Sequence, residues 1–314
     1  MPLPTLKDIA ATTGLHPMTV SRALRDVGRM KPATRQRVQE AALKLGYRPH
    51  AAAAALRSGH TGCIALLSAR GASEPPLPAA ALTAVIEALA SRGGFLAHAA
   101  LAADANLASA LPRLLGRRMA EGLLVPRSFA PPAAFDAFLR QGGLPAVWLD
   151  VPRPVNAVYA DDRAAMWQVV ETLAAQNRQR IVCVRRGGAD AALANGYDAA
   201  MRAAGLRPEV VEIALMPTGA ADAAARWRDA DALIVTRYDD ALIATLRCHS
   251  SRASEDLTIV AFADEAGGAR NGAASVVLHP CAEIGRRAVV MLYRLIEEGL
   301  QELPSVVVPC DFSA

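Results

Sequence analysis

Residues 5–24 read TLKDIAATTGLHPMTVSRAL, two short apolar-spaced runs separated by Gly14 and restarted at His16-Pro17. Thr5 can cap a helix, and Asp8 three residues on completes a capping-box pattern, so a first helix is predicted to bury Leu6, Ile9 and Ala10. Gly14 suits the tight exit from that helix. Pro17 fits the first turn of a second helix, where its missing N–H costs nothing, and Val20 and Leu24 at i, i+4 give that helix an inward face. A third helix is predicted from Pro32 to about Leu45, burying Val38, Ala41, Ala42 and Leu45. Three short helices with a Gly-containing turn between the first two make a helix-turn-helix over residues 1–46. So small a bundle buries little by itself. Its exposed Pro17, Met18, Thr19 and Arg22 either meet a partner or merely solvate it.

The charge distribution favours a partner. Residues 1–60 hold ten Lys or Arg against three acidic residues, a net +7, while the remaining 24 basic and 27 acidic residues give −3. A basic excess confined to one end is the footprint of a module that binds a polyanion. The whole chain of 314 residues is long enough for two or three domains. It has no run of about 18 uncharged apolar residues, and its N-terminus lacks the basic-then-apolar order of a secretion signal. The expectation is a cytoplasmic protein with no membrane partner. Five scattered cysteines show no paired spacing and six histidines form no motif, so neither a disulfide framework nor a metal site is expected.

After Gly46, the stretch YRPHAAAAALRSGH contains one more short helix, Ala51 to Arg57, within a hinge spanning 47–60. A helix this short is marginal alone in water despite its alanines. From Cys63 the rhythm changes. Strands are predicted at 63–67, 94–101, 122–126, 146–150, 180–184, 210–215, 232–236 and 257–262. Between them lie helices such as 79–91, 104–118, 162–177, 190–204 and 238–248. The alternation implies parallel sheets flanked by helices, in two layers.

With these residues placed, the chain resembles the LacI/GalR family of bacterial transcription repressors over essentially its whole length. The resemblance is carried by LKDIA, TGLHPMTVSRALR, TRQRVQEAALKLGYRP and AAAALRSG, and in the core by VWLD, QRIVCV, GYDAAMRAAGL, SEDLTIVAF and EIGRRAVVML. It implies an all-α head and hinge helix followed by a two-lobed α/β core like that of periplasmic sugar-binding proteins. The core spans 61–314, with lobe 1 about 61–158 and 281–300 and lobe 2 about 159–280 and 301–314. Implied partners are a double-stranded DNA operator, a second copy of the chain in a homodimer, and a small-molecule effector; no cofactor is implied. The chain ends at VVVPCDFSA without a heptad tail, which favours dimers over tetramers.

In the head, the resemblance implies Pro17, Met18 and Arg22 in the major groove, with Thr19 and Ser21 on phosphate. Arg22 is the expected base reader, because a guanidinium bonds guanine bidentately. Surface packing is an alternative for Met18, and helix initiation for Pro17. Leu56, with Arg57 beside it, matches the family's minor-groove wedge on the hinge helix.

In the core, ligands of open parallel sheets lie off the carboxyl ends of the strands. The residues following each run are Ser68, Arg70, Arg127, Asp150, Asp161 and Asp162, Arg185 and Arg186, Arg237 and Asp264. Asp150 matches a carboxylate that sugar-binding relatives carry after the fourth strand. Three other positions depart from the family, being Ala191, Arg237 and Ala263. The arginines at the strand ends suit an acidic effector, a sugar acid or sugar phosphate rather than a neutral sugar. Alternatively they pair with Asp161, Asp162, Asp239 or Asp240, or the core has lost or changed its effector response. The G-x-G-x-x-G, Walker and G-x-S-x-G signatures are all missing, so an enzyme is not expected.

Overall fold

A computed structural model describes residues 4–48, 60–72, 75–102, 119–186, 191–213, 226–251, 256–264 and 275–313; for Arg186, Ala191, Ala192 and Ser313 it describes the backbone only. The predicted hinge helix, Leu56 and Arg57, and the helix predicted at 104–118 lie outside the described residues. The chain divides into two compact units, Met1–Thr61 and Gly62–Ala314.

The first unit holds helices α1 (Leu6–Thr13), α2 (Pro17–Leu24) and α3 (Pro32–Leu45). Thr5 starts α1 as expected: its N–H and hydroxyl donate to the Asp8 carboxylate at 2.7 and 2.8 Å. Gly14 closes α1 at φ 66°, a conformation that a side chain would strain. Ile9, Val20 and Val38, one from each helix, are fully buried against Ala10, Ala23, Ala41 and Ala42. Leu24 and Leu45 lie only at the margin of this core. Ala23 takes the place on α2 that the i, i+4 pattern assigned to Leu24.

The second unit contains two six-stranded sheets. The first is built from β1 (Cys63–Ala69), β2 (Phe95–Leu101), β3 (Gly122–Pro126), β4 (Ala146–Leu149), β5 (Ala157–Ala160) and β11 (Val306–Val308), in the order β11-β5-β4-β3-β1-β2. The second is built from β6 (Ile181–Arg186), β7 (Glu209–Ile213), β8 (Ala232–Val235), β9 (Thr258–Ala263), β10 (Ser275–Leu278) and β12 (Asp311–Ser313), in the order β12-β10-β9-β8-β6-β7. Every pairing is parallel except β10 with β12. The central strands are buried on both faces, as parallel strands covered by helices must be. Helices α4 (Ala79–Ala90), α5 (Phe135–Gly142) and α9 (Cys281–Glu297) serve the first sheet; α6 (Asp162–Ala175), α7 (Ala191–Ala203) and α8 (Asp240–His249) serve the second.

The chain passes between the sheets three times: from β5 to α6, from β10 to α9, and from β11 to β12. The last crossing corrects the expected lobe boundaries. Val306–Val308 adds to β5 in the first sheet, and only Asp311–Ser313 joins the second. A run as short as VVV does not by itself reveal which sheet it joins. β5 likewise runs on to Ala160 in the first sheet, past the expected break at 158.

α4 and α9 cross closely over Gly285. A Cβ there would lie 2.7 Å from the Ala81 carbonyl oxygen and 3.2 Å from Val85 Cγ2. Gly285→Ala is expected to destabilise this unit by about 1–3 kcal/mol, as overpacking does. Denaturant unfolding should show a lower midpoint at unchanged slope.

Candidate functional site

Two separate surfaces carry the chemistry predicted from sequence. In the first unit, α2 begins at His16, whose Nδ1 accepts the Met18 N–H at 3.3 Å. Met18 and Arg22 stand at i, i+4 on one side of α2, with Val20 and Ala23 buried on the other. Met18 is 60% exposed, so packing within its own unit does not account for it. Arg22 is exposed, and Pro17, Thr19 and Ser21 are half-buried. The Arg22 side chain makes neither a hydrogen bond nor an ion pair among the described residues; its backbone carbonyl accepts the Val27 N–H. Not every cation of the head is available in this way. Arg37 Nη2 donates to the Thr13 carbonyl at 2.7 Å, tying α3 to α1, and Arg35 pairs with Asp26 at 2.7 Å.

In the second unit, a cavity of about 400 Å³ opens where the strands of both sheets end. Pro75, Pro76, Leu77, Pro78, Leu193 and Phe262 contribute apolar walls, and Arg127, Asp150, Arg237, Asp264, His279 and Cys281 supply charge and polarity. Five of these polar residues directly follow a strand or open a helix, and Arg237 lies two residues beyond β8. Arg127 follows β3, Asp150 follows β4, Asp264 follows β9, His279 follows β10, and Cys281 opens α9.

These side chains form one connected cluster. Arg127 Nη1 lies 3.2 Å from Asp150 Oδ2 and 3.7 Å from Asp162 Oδ2. His279 Nε2 faces Asp150 Oδ1 at 3.3 Å and Asp162 Oδ1 at 3.5 Å. On the other side of the ring, Nδ1 is 3.3 Å from Cys281 Sγ, and the thiol donates to Asp264 Oδ1 at 3.6 Å. Burial by itself would lower the His279 pKa, but the Asp150 and Asp162 carboxylates outweigh it and hold the ring protonated well above its ordinary value. Burial would likewise raise Asp150, yet His279, Arg127 and the Ala160 N–H keep it ionised below the usual carboxylate range. Burial pushes the Cys281 thiol upward. Asp150 also sits at φ 60°, a left-handed conformation that Asp tolerates better than most residues.

Of the ten strand-end residues, the structure places four on the cavity: Arg127, Asp150, Arg237 and Asp264. Asp161 does other work, its Oδ1 accepting the Ala164 N–H at 3.0 Å as the N-cap of α6. Its neighbour Asp162 enters the cluster. Arg185 pairs with Glu212 at 3.0 Å, away from the cavity lining. Ser68 is buried on β1 and Arg70 is exposed beyond it; neither lines the cavity. His279 and Cys281 were not foreseen. They follow SVVL, which went unread as a strand; the rule that picked Asp150 would have picked His279 had it been read so.

Residues 5–50 match the family model described as bacterial regulatory proteins, lacI family, and residues 170–313 match that of a periplasmic binding protein-like domain. Over 64 residues the chain is 42% identical to the HTH-type transcriptional regulator GntR of Pseudomonas aeruginosa, covering 20% of this chain and 19% of that protein. Over 191 residues it is 28% identical to the HTH-type transcriptional regulator RafR of Escherichia coli, covering 56% of this chain and 54% of that protein. The matched stretches thus span about half or less of these relatives. In fold it is similar to the Lac repressor dimer bound to operator and the anti-inducer ONPF, with a TM-score of 0.80 and 18% identity over 100% of this chain and 98% of that one. A head matching the lacI family of bacterial regulatory proteins and a periplasmic-binding-protein-like domain are thus joined in one chain.

Proposed function

We propose that the protein is a sequence-specific DNA-binding transcriptional regulator, acting as a repressor, whose hold on DNA is set by a small molecule in the core cavity. The observation that carries this reading is the exposed Met18–Arg22 face of α2, on a head with a net charge of +7 over residues 1–60. One helix-turn-helix reaches only a half-site, so the reading includes a homodimer on a pseudo-palindromic operator. The similarity to an operator-bound Lac repressor dimer supports that arrangement.

Arg22 supplies the base readout in this proposal, and Met18 and Pro17 read thymine methyls and groove shape. Arg22→Ala should relax specificity at one base pair by roughly 1–3 kcal/mol while leaving binding to unrelated DNA nearly unchanged. Comparing the two affinities at one salt concentration checks this, and an unchanged preference would refute the assignment. Binding should also weaken steeply with salt, by about 10³–10⁵ between 50 and 200 mM if six to ten phosphates are contacted.

For the effector we propose an acidic sugar derivative, its carboxylate or phosphate facing Arg237 and its hydroxyls facing the Asp150 side. Arg127 and Arg237 both line the cavity, and two guanidiniums in one lining support an anionic group. Thermal-shift screening of sugar acids, sugar phosphates and neutral sugars tests this. A stabilisation given only by neutral sugars would overturn the acidic assignment without touching the DNA-binding one.

A further inference from the structure

The polar end of the cavity carries a ligand set that the sugar reading does not use. Among the described residues, Asp264, His279 and Cys281 bring one carboxylate oxygen, one ring nitrogen and one sulfur within 4.8 Å of one another. Parallel pairing fixes them there. Leu278 of β10 is in register with Ala263 of β9, so the next residues, His279 and Asp264, leave the sheet side by side. The His279 N–H is held by the Ala263 carbonyl at 2.9 Å, and the Cys281 N–H by the His279 carbonyl at 2.8 Å.

We propose that Asp264, His279 and Cys281 bind a thiophilic divalent cation of the Zn²⁺ class in the cavity. Metal–sulfur and metal–nitrogen bonds of about 2.3 and 2.0–2.1 Å in tetrahedral ligation put sulfur and nitrogen about 3.5 Å apart. The Nδ1–Sγ distance is 3.3 Å and the Sγ–Oδ1 distance 3.6 Å. A second, independent observation comes from the far side of the imidazole. A metal-ligating His characteristically turns its other ring N–H to a carboxylate. Here Nε2 is buried without a hydrogen bond of good geometry and faces Asp150 and Asp162 at 3.3 and 3.5 Å. The metal takes the place of the proton on Cys281 sulfur and the proton on His279 Nδ1, both released to solvent. Three protein ligands leave a fourth position towards the cavity, where a hydroxyl or an acidic oxygen of an effector can coordinate. The inference concerns the same cavity as the effector reading but does not depend on the head binding DNA.

The test uses the full chain without a histidine tag, titrated with Co²⁺ and then with Zn²⁺ in competition with a chromophoric chelator. The expected result is one equivalent bound per chain, with a thiolate-to-cobalt charge-transfer band. Cys281→Ser should abolish the band, His279→Gln should weaken uptake by about tenfold or more, and Cys248→Ser, at an exposed thiol away from the cavity, should change neither. Absence of stoichiometric uptake, or a band unchanged in Cys281→Ser, would overturn the site. DNA binding measured on the same preparations separates the readings: DNA bound without metal uptake refutes this inference alone, and metal uptake without sequence preference refutes the regulator alone.

Discussion

Ile9→Ala is expected to abolish specific DNA binding while leaving the unfolding of the core in place. Ile9 is one of three fully buried large side chains among the described residues of the head, with Val20 and Val38, that join its three helices. Truncating a buried Ile to Ala costs about 2–5 kcal/mol. At roughly 0.05–0.15 kcal/mol per residue, a unit of about 46 residues is stable by only about 2–7 kcal/mol. The two quantities are comparable, so the variant head is largely unfolded and Arg22 is no longer presented on a fixed helix. The core has its own four apolar clusters, none of which includes a residue of the head. Calorimetry should therefore retain a core transition near its original temperature, and fluorescence anisotropy should show loss of operator binding. Wild-type affinity in Ile9→Ala would contradict the assignment of reading to a packed head.

The second large effect is expected in the cavity. Asp162→Ala should lower core stability by about 3 kcal/mol, because removing one partner of a buried charge network leaves uncompensated charge behind. Asp162 is 7% exposed and faces both Arg127 and His279, at 3.7 and 3.5 Å. Asp150 remains to pair with them, which places the loss at the lower end of the range. For a unit of this size the melting temperature should fall by about 6–12 °C. Asp161→Ala, one residue earlier, removes only a helix N-cap and should cost about 1 kcal/mol. Equal losses in the two variants would contradict the separation of the cap from the charge cluster.

That adjacent pair illustrates how far the sequence could be read. Asp161 and Asp162 both follow an apolar run, and strand-end position alone does not say which carboxylate turns into the cavity. The answer depends on where α6 begins, a difference of one residue. Elements with a strong period were legible: α1 to α3 and eight strands of the core all announced themselves through apolar spacing, with Thr5, Gly14 and Pro17 marking ends. β5, β10, β11 and β12 were not, being three or four residues long with Pro- and Asn-containing flanks, whereas the equally short β4 and β8 stand out as unbroken apolar runs. Missing β10 concealed His279 and Cys281, and with them a third of the polar cluster. For the arginines, residue type leaves open both an anionic ligand and a carboxylate partner, and Arg127 and Arg185 do meet carboxylates from other elements, Asp162 among those expected. The same holds in the head, where Arg35 and Arg37 contribute to the basic total but bind their own unit.

In the proposed function the exposed face of α2 reads DNA sequence. Its most direct test is selection of duplexes from a random pool by the full-length protein at near-physiological salt, followed by sequencing of the bound fraction. Enrichment of two half-sites related by a two-fold axis is expected, with one position losing its preference in Arg22→Ala. A bound pool no different from the input, or an Arg22→Ala pool identical to that of the wild type, would contradict it.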